Sequence, residues 1–329
     1  MFTPAAATVN GAGGAGSGPR LTPFSASSTI NVGHRKAGPK RGNGNTAGNR
    51  AARSDKVEQS TGWRIDDRHG ATEVRVRLLI AIPVFNEQKY LGRVLDKVRQ
   101  FHPDILVVDD GSTDDTPKIL SGRKDVAVIR HDANLGYGQS LIDAFDHACR
   151  QRYDWVITMD CDEQHEPEMI PEFVRLIQSD QWDVISGSRY LKPTCEDDLP
   201  PEDRRSINAR ITRVLNEMFG LGLTDAFCGY KAHRVCAMRK LELDVTGYAF
   251  PMQFWPQVWH QGLRVTEIPV RLIYNDPTRH FGGKLDDADH RLRHYLDVLN
   301  NEVKRLSIPA GPDGAAARRA AREACGCSE

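Results

Sequence analysis

Between residues 75 and 190, short apolar runs alternate with stretches whose apolar residues recur every three or four positions. "VRLLIAIPVF" is a continuous, β-branched run stopped by Pro83 and the Asn86-Glu87 pair. "DILVVDD", "VAVIRH" and "DWVITMDCD" are further short apolar runs. Between them, "YLGRVLDKVRQF" sets Leu91, Val94, Leu95 and Val98 at helical spacing, and "TPKILSG" opens a helix with Pro117 near its first turn. "GQSLIDAFDHACR" turns Leu141, Ile142, Phe145 and Ala148 inward. Such alternation restricts the chain to an α/β fold with a mostly parallel central sheet flanked by helices. Right-handed crossovers then gather the strand C-termini on one edge, where open α/β sheets bind ligands.

The acidic residues fall at that edge. "VVDDGSTDDT" closes one strand, "MDCDEQHEP" another, and Pro83, Asn86 and Glu87 end a third. Carboxylates at i and i+2 past a strand can face one spot in a turn. Asp160 and Asp162 thus offer hard oxygen ligands to Mg²⁺ or Mn²⁺, cations that prefer a few carboxylates completed by phosphates and water. Asp114 and Asp115 stand before Thr116 and Pro117, where helix capping and the dipole explain them without a ligand. His165 reads as shaping the turn before Pro167, or as a site residue. His102 and His131 read as ordinary loop histidines.

Composition narrows the class. Residues 1–74 are rich in Gly, Ala, Ser, Asn and Thr, and eight Lys or Arg fall between Arg20 and Lys56. That stretch has too little apolar surface to offset ordering entropy and is expected to be a disordered basic tail. Residues 308–329, Ala/Arg-rich, are expected to be a flexible tail. The globular part is then 75–307. The charge balance, 44 basic against 44 acidic residues, gives no nucleic-acid footprint. No apolar run reaches membrane-spanning length, and the start lacks the charged and apolar regions of an export leader. Seven cysteines without a framework spacing fit a reducing compartment, so a cytoplasmic protein is expected, peripheral at the inner face of the membrane.

The segments "AIPVFNE", "VVDDGSTDDT", "NLGYGQSLIDAF", "MDCDEQHEPEMIPEFV", "SGSRY", "TDAFCGYKAHR" and "HFGGKL" occur in the order found in family-2 glycosyltransferases of the GT-A fold. The chain resembles that family from about Leu78 to Leu306, most closely the branch of dolichyl-phosphate mannosyltransferase and polyprenyl-phosphate hexosyltransferases. The resemblance implies a nucleotide-sugar half at 75–190 and an acceptor half at 191–307. It implies that Pro83, Phe85, Asn86 and Glu87 line the base and ribose, with Asp109 and Asp110 accepting hydrogen bonds from them. Asn134, Gly136 and Gly138 would bring backbone close to the nucleotide. Asp160 and Asp162 would hold the cation and diphosphate, with Gln164 and Arg189 beside them. Cys161 replaces the usual small residue between the two aspartates and would be open to oxidation.

In the acceptor half, residues 203–222 set Ile207, Ile211, Val214, Leu215 and Met218 on one stripe and Arg204, Arg205, Arg210 and Arg213 on the other. This is either a packed helix with a solvated basic face or an element that meets anionic lipid head groups. Asp225 matches the family's aspartate near the acceptor. Lys231 stands where an Arg is common, and Arg279 and Lys284 are further cationic candidates for the acceptor. A last helix is expected to bury Leu285, Ala288, Leu292, Leu296, Leu299 and Val303. "QFWPQVWH" is not the QxxRW of polymerising relatives, which disfavours processive synthesis. The resemblance implies inverting, metal-dependent hexose transfer from a UDP- or GDP-sugar to a polyprenyl phosphate. An alcohol acceptor, with Asp225 as base, and a non-catalytic nucleotide-sugar binder are the alternatives.

Overall fold

The computed structural model describes residues 76–193, 197–198, 200–274 and 281–308. The expected basic tail at 1–74, the C-terminal stretch after Ile308, and Arg279 lie outside the described residues.

The first half follows the alternation read from the sequence. β1 (Leu78–Val84), α1 (Leu91–Phe101), β2 (Ile105–Asp109), α2 (Thr116–Gly122), β3 (Ala127–Arg130), α3 (Tyr137–Arg150) and β4 (Trp155–Thr158) succeed one another. α4 (Ile170–Gln178) and β5 (Val184–Ser188) follow. Then come α5 (Glu202–Phe219), β6 (Lys231–Arg234), α6 (Val235–Met238), α7 (Phe250–His260), β7 (Val265–Pro269) and α8 (Ala288–Arg305).

Seven strands form one sheet in the order β3-β2-β1-β4-β6-β5-β7. β1 pairs in parallel with β2 and β4, β2 with β3, and β5 with β7. β6 breaks the pattern, because it runs antiparallel to both of its neighbours, β4 and β5. Its start, Lys231, therefore lies at the edge where β1, β2 and β4 end, opposite Thr158.

Strand alternation sorts the core into two layers. Leu78, Ile80, Ile82 and Val84 face the layer built by Leu91, Leu95 and Val98 of α1, Leu120 of α2 and Phe173 of α4. Leu79 and Ala81 face the other, filled by Leu141 and Phe145 of α3, Ile211 and Leu215 of α5, Trp255 of α7 and Leu299 of α8. Burying one such side chain fully stabilises the fold by about 2 kcal/mol.

α8 departs from expectation. Leu299 is buried as expected, but the other buried positions are Arg291, Tyr295 and Glu302, while Ala288, Leu292, Leu296 and Val303 pack against the same core only partly buried. Arg291 is buried because its guanidinium donates to Leu285 O and pairs with Asp203 of α5 at 2.5 Å. Glu302 is buried because Gln253, Gln257 and Arg305 all donate to its carboxylate.

Candidate active site

Backbone register carries the ends of β1, β2 and β4 to one place. Val84 is level with Asp109, and Ala81 with Thr158. β2 and β4 are two strand spacings apart, about 10 Å, so Asp109 at the end of β2 and Asp160 just past β4 flank Asn86 and Glu87, which follow the end of β1 between them.

Asp109 is fully buried. Its Oδ1 accepts from Ser112 N at 2.9 Å. Its Oδ2 makes no hydrogen bond inside the protein, although Arg130 Nη1 lies 3.2 Å away. A buried carboxylate oxygen beside a guanidinium is suited to accept N–H or O–H groups of a ligand.

Several neighbours are committed to the loops themselves instead. Asn86 sits at φ 58°, a left-handed conformation that Asn tolerates. Its Oδ1 accepts from Thr113 N at 2.8 Å, and its own N–H donates to Ser112 Oγ, so it ties the β1 loop to the β2 loop. Asp114, not Asp115, supplies the helix-start hydrogen bond, accepting from Thr116 N at 2.9 Å. Phe85 is 44% exposed at this edge, while Pro83 stays inside β1.

Asp110 is the hub of a network that the sequence did not announce. It accepts from Leu135 N (2.7 Å) and Gly136 N (2.9 Å), which fixes the loop carrying Asn134. His131 bridges Asp110 (2.7 Å) and Asp143 of α3 (2.8 Å), so it is a buried structural joint and not an ordinary loop histidine. Burial alone would lower its pKa, but the hydrogen bonds and charges of the two aspartates raise it above the ordinary value. Gly111, at φ 73°, lets the β2 turn lie against Ala133 and Asn134. Gly136 and Gly138 approach the chain's own backbone at Thr246 and Val245, not open space; a Cβ on Gly138 would fall 2.2 Å from Val245 O.

Asp160 and Asp162 flank the buried thiol of Cys161. That burial removes the access to solvent that the expected sensitivity to oxidation requires. Asp162 is buried, and its Oδ1 accepts from Gln164 N at 3.0 Å across the turn. Glu163, at φ 59°, turns outward to Arg93. Asp160 keeps a third of its side chain accessible. His165 is buried, accepts at Nδ1 from Asp160 N, and stacks on Tyr230. Burial lowers its pKa to about 4, so it is neutral and shapes the turn as an acceptor.

Two features bear on a cation here. Asp160 and Asp162 leave one turn together, and Gly229 lets the Asp160 carboxylate rest on bare backbone, since any Cβ there would lie 2.6 Å from Oδ2. Among the described residues no three His, Cys, Asp or Glu side chains gather into a self-sufficient metal site. Two carboxylates completed by phosphate oxygens and water match that donor set.

Across the edge, Asp225 is fully buried and saturated. Arg189 grips it with Nε at 2.7 Å and Nη2 at 3.0 Å, Asn208 donates at 2.8 Å, and Phe227 N donates at 3.1 Å. Burial would raise this carboxyl's pKa, yet the Arg189 charge and these hydrogen bonds hold it far below the carboxylate range. An oxygen so committed is a poor proton acceptor, which argues against the expected role as base. Arg189 is correspondingly committed to Asp225 and offers less to a donor than expected. Lys231 is buried in β6, with Nζ on Cys228 O and over the Trp255 ring at 5.6 Å. It points into the interior beneath the site, whereas Lys284 is exposed in the turn before α8. His165 stacks on Tyr230 and Asp160 lies against Gly229, so the turn after β4 meets the loop before β6 at one centre.

The sequence pattern described as glycosyl transferase family 2 matches residues 79–241. Undecaprenyl-phosphate mannosyltransferase of Micrococcus luteus is 30% identical over 224 residues, covering 65% of this chain and 91% of that protein. The chain belongs to glycosyl transferase family 2. Polyprenol monophosphomannose synthase of Mycolicibacterium smegmatis is 29% identical, with 59% of this chain and 76% of the relative covered. Among solved structures, glucosyl-3-phosphoglycerate synthase from Mycobacterium tuberculosis, in complex with Mn²⁺, UDP-glucose and phosphoglyceric acid, aligns with a TM-score of 0.52 at 19% identity. That alignment covers 71% of this chain and 81% of the other. This glycosyltransferase therefore has the GT-A fold expected from its sequence, with β6 as the antiparallel strand. Among its described residues no helix is long and apolar enough to cross a membrane.

Proposed function

We propose that this glycosyltransferase moves a hexose from a nucleotide sugar to a polyprenyl phosphate, with inversion at the anomeric carbon. The names of the two relatives support the acceptor class. The observation that carries the reading is the state of Asp225. An alcohol acceptor needs a base, and the acid expected to serve is locked into Arg189, Asn208 and the backbone. A phosphate monoester needs none, since its second pKa is roughly 6 and it is already ionised near neutrality.

The residues divide the work by position. Asp109 Oδ2 and Arg130 meet the nucleoside at the β2 end. Asp110 and His131 hold the 132–136 loop against it. Asp160 and Asp162 would hold Mg²⁺ or Mn²⁺, which when bound offsets the negative charge developing on the leaving diphosphate. The acceptor phosphate attacks from the opposite face of a sugar with oxocarbenium character. Acceptor recognition by Lys284 and Arg279, and by the exposed Arg205, Arg210 and Arg213 of α5, belongs to the same proposal.

The test offers UDP- and GDP-hexoses with Mn²⁺ to the full chain, together with a short polyprenyl phosphate or the matching polyprenol. Glycosyl transfer to the phosphate and not to the alcohol is expected. Transfer to the alcohol at a comparable rate would overturn the acceptor assignment, and failure of every nucleotide sugar to bind would overturn the whole reading.

A further inference from the structure

Tyr137 has no part in the reading above, yet it touches its centre. It is the first residue of α3 and follows Gly136, whose φ of 105° turns the chain into the helix. Its hydroxyl donates to Asp160 Oδ1 at 3.2 Å. Its ring stacks on Tyr248, with centroids 6.0 Å apart and planes 14° from parallel. Tyr248 in turn meets Phe281 edge-on at 5.4 Å. The ring is therefore wedged, and the hydroxyl has one direction in which to point.

Gly229 closes the arrangement from below. A Cβ there would sit 2.6 Å and 2.9 Å from the two Asp160 oxygens and 2.8 Å from the Tyr137 hydroxyl. Carboxylate and phenol thus rest together on the bare backbone of residue 229. Three separate segments converge on one carboxylate: the start of α3, the turn after β4, and the loop before β6.

We infer that Tyr137 is a positioning residue whose hydroxyl, above the floor made by Gly229, holds the Asp160 carboxylate in the orientation that receives the cation and the diphosphate. The inference rests on the proposed function, since it deepens the account of the same site. It also links two parts of the donor site. Asp110 holds Leu135 and Gly136, and the next residue holds Asp160, so the 135–137 segment spans from the β2 end to the β4 end.

Tyr137→Phe keeps the ring and its stacking and removes only the hydrogen bond. Hydrogen bonds to charged groups contribute enough for the Kd of Mn²⁺ to rise about tenfold or more. Mn²⁺ would be titrated by electron paramagnetic resonance into wild type, Tyr137→Phe and Gly229→Ala, with UDP and with GDP present. The expected result is weaker Mn²⁺ binding in both variants, an unchanged melting temperature of metal-free Tyr137→Phe, and a lowered kcat that excess Mn²⁺ partly restores. Wild-type Mn²⁺ affinity in Tyr137→Phe, whatever its melting temperature, overturns the inference and leaves the proposed function standing. Failure of the wild type to bind Mn²⁺ with either nucleotide overturns the metal reading and this inference together.

Discussion

Asp225→Asn separates a structural anchor from a catalytic base. In the wild type one carboxylate neutralises Arg189 and accepts from Asn208 and Phe227 N. The amide removes the charge and replaces one accepting oxygen with a donor, so at least one of those N–H groups faces another N–H. Breaking a buried pair by neutralising one partner costs about 3–5 kcal/mol, because the other charge stays behind uncompensated. For a domain of this size each kcal/mol corresponds to roughly 2–4 °C, so a fall of about 10 °C in Tm is expected. The carboxyl's depressed pKa adds a sign. Its contribution is present above the ordinary value of 3.8 and is lost as pH falls toward the folded value, so the variant should show a shallower loss of stability in acid. Thermal melts from neutral to acidic pH, alongside kcat with a polyprenyl phosphate, make the assay. A variant as stable as wild type, with kcat down about a hundredfold and a lost limb in the pH–rate profile, would show Asp225 to be a general base and refute this reasoning.

Asp162→Ala should abolish Mn²⁺-dependent nucleotide-sugar binding and turnover while leaving the metal-free melt near wild type; unchanged affinity in a Mn²⁺ titration would count against the cation site. Gly138→Ala should destabilise the protein by about 2 kcal/mol or more, since its Cβ would fall 2.2 Å from Val245 O and the start of α3 would have to move; a wild-type denaturation midpoint would show the contact to be soft. His233 is buried with its pKa lowered to about 3 by desolvation and by Lys231, so below pH 6.5 the unfolded chain binds a proton that the folded one refuses. Stability should therefore fall as pH drops through that window, by up to about 1.4 kcal/mol per pH unit, and His233→Gln should flatten the slope. His131 carries the opposite sign. Its raised pKa makes its contribution present below the ordinary histidine value and lost as pH rises through the folded one, so His131→Gln should remove a loss of stability on the alkaline side.

β1, β2 and β4 were readable because each is a short apolar run bounded by turn residues and is almost wholly buried, whereas the edge strand β3 showed itself only as a β-branched run and is largely exposed. β6 was not. "KAHR" carries three cationic or titratable residues in four, a polar pattern, yet Lys231 and His233 are interior because a backbone carbonyl and the rings of Trp255, Phe145 and Phe254 surround them. α8 hid its true buried face for a similar reason, since Arg291 and Glu302 become interior only through partners far away in sequence. The Asp–X–Asp pair could be recognised from spacing, because both residues belong to one turn. The commitment of Asp225 could not, because its partners Arg189 and Asn208 come from other elements. Tyr137 and Gly229 were likewise hidden, being 92 positions apart and joined only through Asp160.

The antiparallel β6 has a practical consequence for anyone engineering this enzyme. Residues beyond 190 supply an interior strand, wedged between β4 and β5. Grafting the C-terminal portion of a relative at that boundary would tear hydrogen bonds from the middle of the sheet on both sides. The proposed acceptor preference is better varied by single substitutions on the exposed face of α5, at Arg205, Arg210 and Arg213, which leave the strand ladder and the buried Ile211 and Leu215 in place.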